Sequence, residues 1–153
     1  MKSFAAVKWL GNFKQGQGQI TSNSGALHNV NYTMAKRFEG QPGTNPEELL
    51  AASHASCFAM ALAAEFSKQN IKAIEVTSTV ELGKDGEEWR ISSSHLDAEA
   101  DIEGVDEEEF EKRAEVVKSK CPISKALSIT ITLDARLKGQ GSARESTNSA
   151  RMT

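Results

Sequence analysis

A chain of 153 residues is long enough for one domain that buries roughly two thirds of the surface its unfolded form exposes. Its net charge is −3, with 18 Lys and Arg against 21 Asp and Glu, and no basic cluster offers a local exception, which argues against nucleic acid as a partner. The uncharged stretch from Leu49 to Ala64 falls short of the ~20 residues a bilayer span needs, and the opening MKSFAAVKWLGNFKQGQG lacks the apolar core of a signal peptide, so no membrane contact and a cytoplasmic location are expected.

Residues 1 to 33 read as strands joined by Gly, Gln, Asn and Ser turns, with Ala5, Val7 and Trp9 on one side of the first, which predicts an amino-terminal meander. RFEGQPGTNP then supplies Gly and Pro densely enough to read as a loop that carries Arg37. A helix follows. Asn45 suits the N-cap, Pro46 the first helical position, and Glu48 the third residue of a capping box, with Glu47 and Glu48 both at the positive end of the dipole. From Leu49 to Ala64 small and apolar residues occupy every face, which predicts a helix surrounded by protein on most sides. Ile74 to Leu82 alternates cleanly as a half-buried strand, and GKDGEE turns the chain into a second strand, Trp89 to Ile102. The apolar phase of that strand slips between Ile91 and Leu96, as a β-bulge requires. Asp106 and Glu109 form another capping box, and Phe110, Ala114, Val117 and Cys121 share one helical face, so Cys121 points inward at the helix end. Pro122 stops or restarts the helix, and Ile129 to Leu137 alternates as a last strand. The fold class is α+β with antiparallel sheet. Residues 139–153, poor in large apolar side chains, are expected to form a disordered tail.

The chemistry-bearing residues are two thiols, Cys57 and Cys121. A thiol buried in an apolar helix is ordinarily inert, because desolvation disfavours its thiolate. Reactivity at Cys57 would need a cation that stays charged when partly desolvated. The sole arginine before residue 90 is Arg37, and an arginine can serve two partners at once. Glu47 or Glu48 could hold that guanidinium still. A zinc site built from Cys57, Cys121 and some of His28, His54 and His95 lacks any paired Cys or His spacing, and His54, three residues before Cys57, reads as a satisfied buried histidine.

RFEG, GTNPEELLAASHASCFAMAL and CPISKAL, in that order and at fitting separations, resemble the OsmC/Ohr family of osmotically induced and organic hydroperoxide resistance proteins, and the resemblance spans residues 1–138. RFEG and His54 place it closer to the OsmC branch. The resemblance implies a thiol peroxidase acting on alkyl or lipid hydroperoxides, and an intertwined homodimer with antiparallel sheets packed around central helices. By position, Cys57 matches the peroxidatic cysteine, Cys121 the resolving one, Arg37 the arginine that steadies the thiolate and Glu47 the carboxylate that orients it. No metal or organic cofactor is implied, and an external dithiol, which the family draws from lipoylated proteins, must reopen the disulfide. Ten residues of straight helix put Glu47 ~15 Å from Cys57 along the axis and roughly 80° off its face. Arg37 and Glu47 would therefore act through a break near the helix start or from the partner subunit, the second being preferred. Phe38, Leu50, Phe58 and Met60 could line a site for alkyl chains, each being also a candidate for the core. The reading from another class is a non-enzymatic dimer that senses peroxide or binds an apolar ligand.

Overall fold

The computed structural model describes residues 1–139, so the tail expected over 139–153 lies, from residue 140 on, outside the described residues. Two compact units make up the chain, Met1–Leu49 and the part from Leu50 onward, and each carries its own three-stranded sheet. Among the described residues no helix is long and apolar enough to cross a membrane.

In the first unit, β1 (Ala5–Leu10), β2 (Gln17–Ser22) and β3 (Val30–Tyr32) form the expected antiparallel meander. The register sets Trp9 opposite Gly18 and Gly18 opposite Tyr32. Glycine is required at the middle of that row, since a Cβ there would collide with the Tyr32 ring. Its absence lets Trp9 and Tyr32 meet edge to face across the strand, ring centroids 5.7 Å apart. The segment read as a loop from RFEG onward begins instead inside a helix, α1 (Met34–Phe38). Thr33 caps it by accepting from the Lys36 N–H at 3.2 Å, and five residues are too few to display a helical period. Arg37 thus sits in a helical last turn and not in irregular chain.

The start of α2 (Pro46–Glu65) follows its sequence signals in part. Asn45 Oδ1 accepts from the Glu48 N–H at 2.8 Å, so the N-cap is as expected. The Glu48 carboxylate takes the Thr44 hydroxyl at 2.9 Å. The helix is continuous from Pro46 to Glu65, and the break considered near its start is absent. Burial also differs from expectation. His54, Phe58 and Leu62, at i, i+4 and i+8, are fully buried, whereas Ala52, Ser56, Met60 and Ala63 on another face are exposed. Met60 retains 76% of its full exposure. Small side chains on every face made the helix look enclosed, but one chain covers a single side of it.

In the second unit, β4 (Ile71–Asp85) and β5 (Glu88–Ile102) form a long hairpin closed at Gly86–Glu87, with Gly86 at φ +64°, where a residue with a Cβ would be strained. Glu81 pairs with Ser93 and Leu82 with Ile91, leaving Ser92 as the extra residue of a bulge within the predicted interval. Beyond the bulge, Ser94, Leu96, Ala98, Ala100 and Ile102 turn to the buried face. Asp106 caps α3 (Glu107–Lys120) through the Glu109 N–H at 2.9 Å. Pro122 restarts the chain as α4 (Pro122–Ala126). The final strand, β6 (Thr130–Leu137), departs from the all-antiparallel expectation by pairing parallel to β5, Ser93 with Thr130 through Ala100 with Leu137. The reason is topological: α3 and α4 form a crossover long enough to return the chain in the same direction. Alternation within a strand carries no information about direction. The core of this unit combines Phe58, Leu62 and Phe66, the β5 face, Phe110, Ala114 and Val117 of α3, Cys121 and Leu137. Phe66 and Phe110 pack at 5.4 Å between centroids. The Arg113 guanidinium closes over Phe66 at 4.0 Å while binding Glu65 and Glu109 at 2.9 Å each.

Candidate active site

The second unit brings the two thiols together. Cys57 projects from the middle of α2, partly exposed, and Cys121 is completely buried at the corner between α3 and α4. Its backbone N–H closes α3 by donating to Val117 O at 2.9 Å, and at φ −56°, ψ 125° it leaves the helical path, which frees its side chain to turn toward α2. The sulfurs lie 3.2 Å apart as free thiols, within S–H···S reach and about 1 Å beyond a disulfide bond. Their acidities diverge. Burial raises the pKa of Cys57, an effect the Ile123 N–H partly offsets and the Cys121 thiol reinforces. Burial also opposes the Cys121 thiolate, but the Ser124 N–H, the Cys57 thiol, the Ser124 hydroxyl and the Ile123 N–H together outweigh it and leave Cys121 below its ordinary value. No cationic side chain is among these causes.

The first unit brings Arg37 and Glu47 together. The guanidinium grips the carboxylate with Nε at 3.1 and 3.3 Å from its two oxygens and Nη2 at 2.7 Å from Oε1, a forked geometry that fixes the plane of the arginine. Glu47 is nearly buried, while the Arg37 side chain keeps 35% of its exposure, so one edge of the cation stays available. Arg37 also lies over the Phe38 ring at 5.0 Å and borders a recess of about 180 Å³ lined by Trp9, Phe13, Tyr32, Met34 and Phe38. Of the residues expected to offer apolar lining, Phe38 is therefore part of a concave surface, whereas Phe58 belongs wholly to the core. The Glu48 carboxylate is taken instead by the Thr44 hydroxyl.

His54 is fully buried, and its two ring nitrogens meet Ser94 Oγ at 2.7 Å and Ser124 Oγ at 2.8 Å. Ser94 in turn meets Ser78 Oγ at 3.0 Å. Burial lowers the pKa of the imidazole, which keeps it neutral. The expectation of a satisfied buried histidine covers His54 itself, but its partners escaped sequence reading: Ser94 and Ser124 are 40 and 70 residues away. The available signal was the serine run of β5, where polar residues precede a buried apolar series. Among the described residues, the side chains grouped as a metal site would require are His95, Asp97 and Asp134, a set without either cysteine. Asp97 is already bound by Arg136 at 2.8 Å.

A two-sheet α+β chain with paired thiols at a helix corner defines a recognisable class, and comparison places it. The OsmC-like protein family matches residues 38–135, a stretch that takes in Glu47, Cys57 and Cys121 and begins one residue after Arg37; the chain belongs to this family. Peroxiredoxin OsmC of Escherichia coli K12 is 38% identical over 132 residues, covering 85% of this chain and 92% of that protein. The crystal structure of the organic hydroperoxide resistance protein OhrB of Bacillus subtilis superposes with a TM-score of 0.64 at 31% identity, over 88% of this chain and 98% of that one. An OsmC-like protein of Vibrio cholerae shares the fold at a TM-score of 0.72 with 14% identity, over 88% of this chain and 99% of that one.

Proposed function

We propose that this protein is a thiol peroxidase that reduces organic hydroperoxides to alcohols, with Cys57 as the nucleophile and Cys121 as the resolving thiol. The observation that carries the reading is the 3.2 Å approach of the two sulfurs; the names of the E. coli and B. subtilis relatives, a peroxiredoxin and an organic hydroperoxide resistance protein, supply the substrate class. The Cys57 thiolate attacks one peroxide oxygen, the O–O bond breaks, and the alkoxide leaves and takes a proton to become the alcohol. Cys57 is left as a sulfenic acid. The Cys121 thiolate then attacks the Cys57 sulfur, the S–S bond forms, and the departing hydroxide takes a proton to become water. A dithiol, such as a reduced lipoyl group, reopens the disulfide by exchange.

Arg37 is assigned to hold charge on the Cys57 sulfur and on the transferred oxygen, with Glu47 fixing the guanidinium plane. Because α2 is unbroken, the pair is assigned to the site of a partner subunit in a homodimer, whose formation would cover the exposed Ala52, Ser56, Met60 and Ala63 face. Residues 1–138 act in this reading as one functional domain. The test is a count of free thiols with peptide mass spectrometry before and after one equivalent of cumene hydroperoxide. Loss of both thiols into a Cys57–Cys121 linkage, absent in Cys57→Ser, is expected, together with steady hydroperoxide consumption when dithiothreitol is supplied. Survival of both thiols would sink the peroxidase, and a single oxidation without turnover would favour a sensor.

A further inference from the structure

The hydrogen-bonded chain Ser78–Ser94–His54–Ser124 ends on α4, the helix whose N-cap is Cys121, and we infer that it is a directional device that prepares the resolving thiol, with His54 and Ser124 as positioning residues for disulfide formation. The inference rests on the peroxidase reading and deepens its second step.

The argument starts from the donor and acceptor inventory. A neutral imidazole has one N–H donor and one lone-pair acceptor. With serine hydroxyls at 2.7 and 2.8 Å on its two nitrogens, it must donate to one and accept from the other, so the whole chain has to run in a single sense. The Ser124 hydroxyl meets His54 Nε2 at 2.8 Å from α4, three residues after the Cys121 N-cap of that helix, and it is among the groups that hold the Cys121 thiol below its ordinary value. When that hydroxyl donates to sulfur, His54 must donate from Nε2, Nδ1 must accept from Ser94, and Ser94 must accept from Ser78. Every proton then points toward Cys121, which favours its thiolate. The Ser78 end is the half-buried one, so water can complete its hydrogen bonding there. A histidine needing only to be satisfied could have used any carbonyl and hydroxyl. This one joins α2 to α4 through Ser124, His54 lying three residues before Cys57 and Ser124 three residues after Cys121. Holding α4 against α2 through Ser124 also maintains the 3.2 Å sulfur separation.

The consequence falls on one step. Formation of the S–S bond requires the Cys121 sulfur as a thiolate, with the S–OH bond of Cys57 breaking and the hydroxide taking a proton to leave as water; of the two thiols, only Cys57 reacts in the first attack on the peroxide. The experiment is a rapid-quench single turnover of the full chain with one equivalent of cumene hydroperoxide, following the Cys57 sulfenic acid by dimedone capture and the disulfide by mass. Ser124→Ala should slow disulfide formation about tenfold, the effect of one lost buried hydrogen bond, while the rate of Cys57 oxidation stays at the wild-type value, and excess peroxide should convert more Cys57 to sulfinic acid. Ser124→Thr, which keeps the hydroxyl, should restore the rate; a purely structural serine would not separate the two steps in this way. Nitrogen-15 spectra of the reduced wild-type chain provide a readout independent of any variant and should show the Nε2–H tautomer of His54. An unchanged disulfide rate in Ser124→Ala, or an Nδ1–H tautomer, overturns the inference. Failure of the wild type to form the disulfide at all overturns instead the peroxidase reading beneath it.

Discussion

The two units handle charge in opposite ways. The first holds a formal ion pair, Arg37 with Glu47, against an aromatic recess and leaves the cation partly exposed. The second holds its thiols and His54 among apolar side chains, where every polar partner named for them is a hydroxyl, a thiol or a backbone N–H. Burial in the second unit pushes Cys57 away from the thiolate. A neutral environment can arrange sulfurs, but it cannot by itself favour a negative one; a surface cation can favour a negative sulfur, but only where the fold delivers it. The contrast teaches that the thiol pair and the ion pair are built by different physics, burial for one and charge for the other.

That contrast can be tested first where burial dominates. Phe110→Ala removes a fully buried ring from the contact with Phe66 and should lower unfolding free energy by about 3–5 kcal/mol, read by urea denaturation. A loss near that expected of an exposed site, about 0.5 kcal/mol, would mean that the second unit does not rely on its core as described. Next comes the charge. Arg37→Ala should reduce the second-order rate of Cys57 oxidation by about 10²–10³-fold, the scale of one lost electrostatic donor, and should lower the melting temperature as well, because it leaves the nearly buried Glu47 carboxylate unpaired. If the arginine serves a partner's thiol, mixing this variant with Cys57→Ser should recover about half-site activity; no recovery would place both groups in one subunit's site. The smallest effect concerns pH. His54 has a folded pKa below its ordinary 6.5, so below pH 6.5 the unfolded chain binds the extra proton and the folded chain does not. Its neutral burial therefore leaves stability intact above that pH and erodes it as pH falls toward the folded pKa. Melting temperature between pH 7.5 and 5 should drop less steeply in His54→Gln than in the wild type, and equal slopes would exclude His54 as the source.

What was legible in the sequence was local. The strand alternation of β4, the Ser92 bulge, the Asp106 cap and the inward face that carries Cys121 are all written within a few residues of one another. The parallel placement of β6 was not legible, because a strand's pattern is the same in either direction and only the crossover decides. Nor was α1, whose five residues are shorter than two helical turns. At the site, the family resemblance, through the spacing of its motifs, singled out Cys57, Cys121, Arg37 and Glu47, where the chemistry of the residues alone left Glu47 and Glu48 open; the structure joins Cys57 with Cys121 and Arg37 with Glu47. The serines around His54 had no such spacing to reveal them; a hydroxyl 70 residues distant in sequence becomes a neighbour only after the sheet and both helices have formed.

The corner at Cys121 has a consequence for how the molecule comes into being. Sixty-four residues separate the two sulfurs, and the second arrives at the end of one helix, just before the crossover returns to complete the sheet. Closing so long a loop has an entropic cost of about 4 kcal/mol, which no local contact at either cysteine could offset. The pair therefore exists only once the second unit has assembled around it. A nascent or partly unfolded chain carries two ordinary thiols, and under the proposed function redox competence would be a certificate of completed folding.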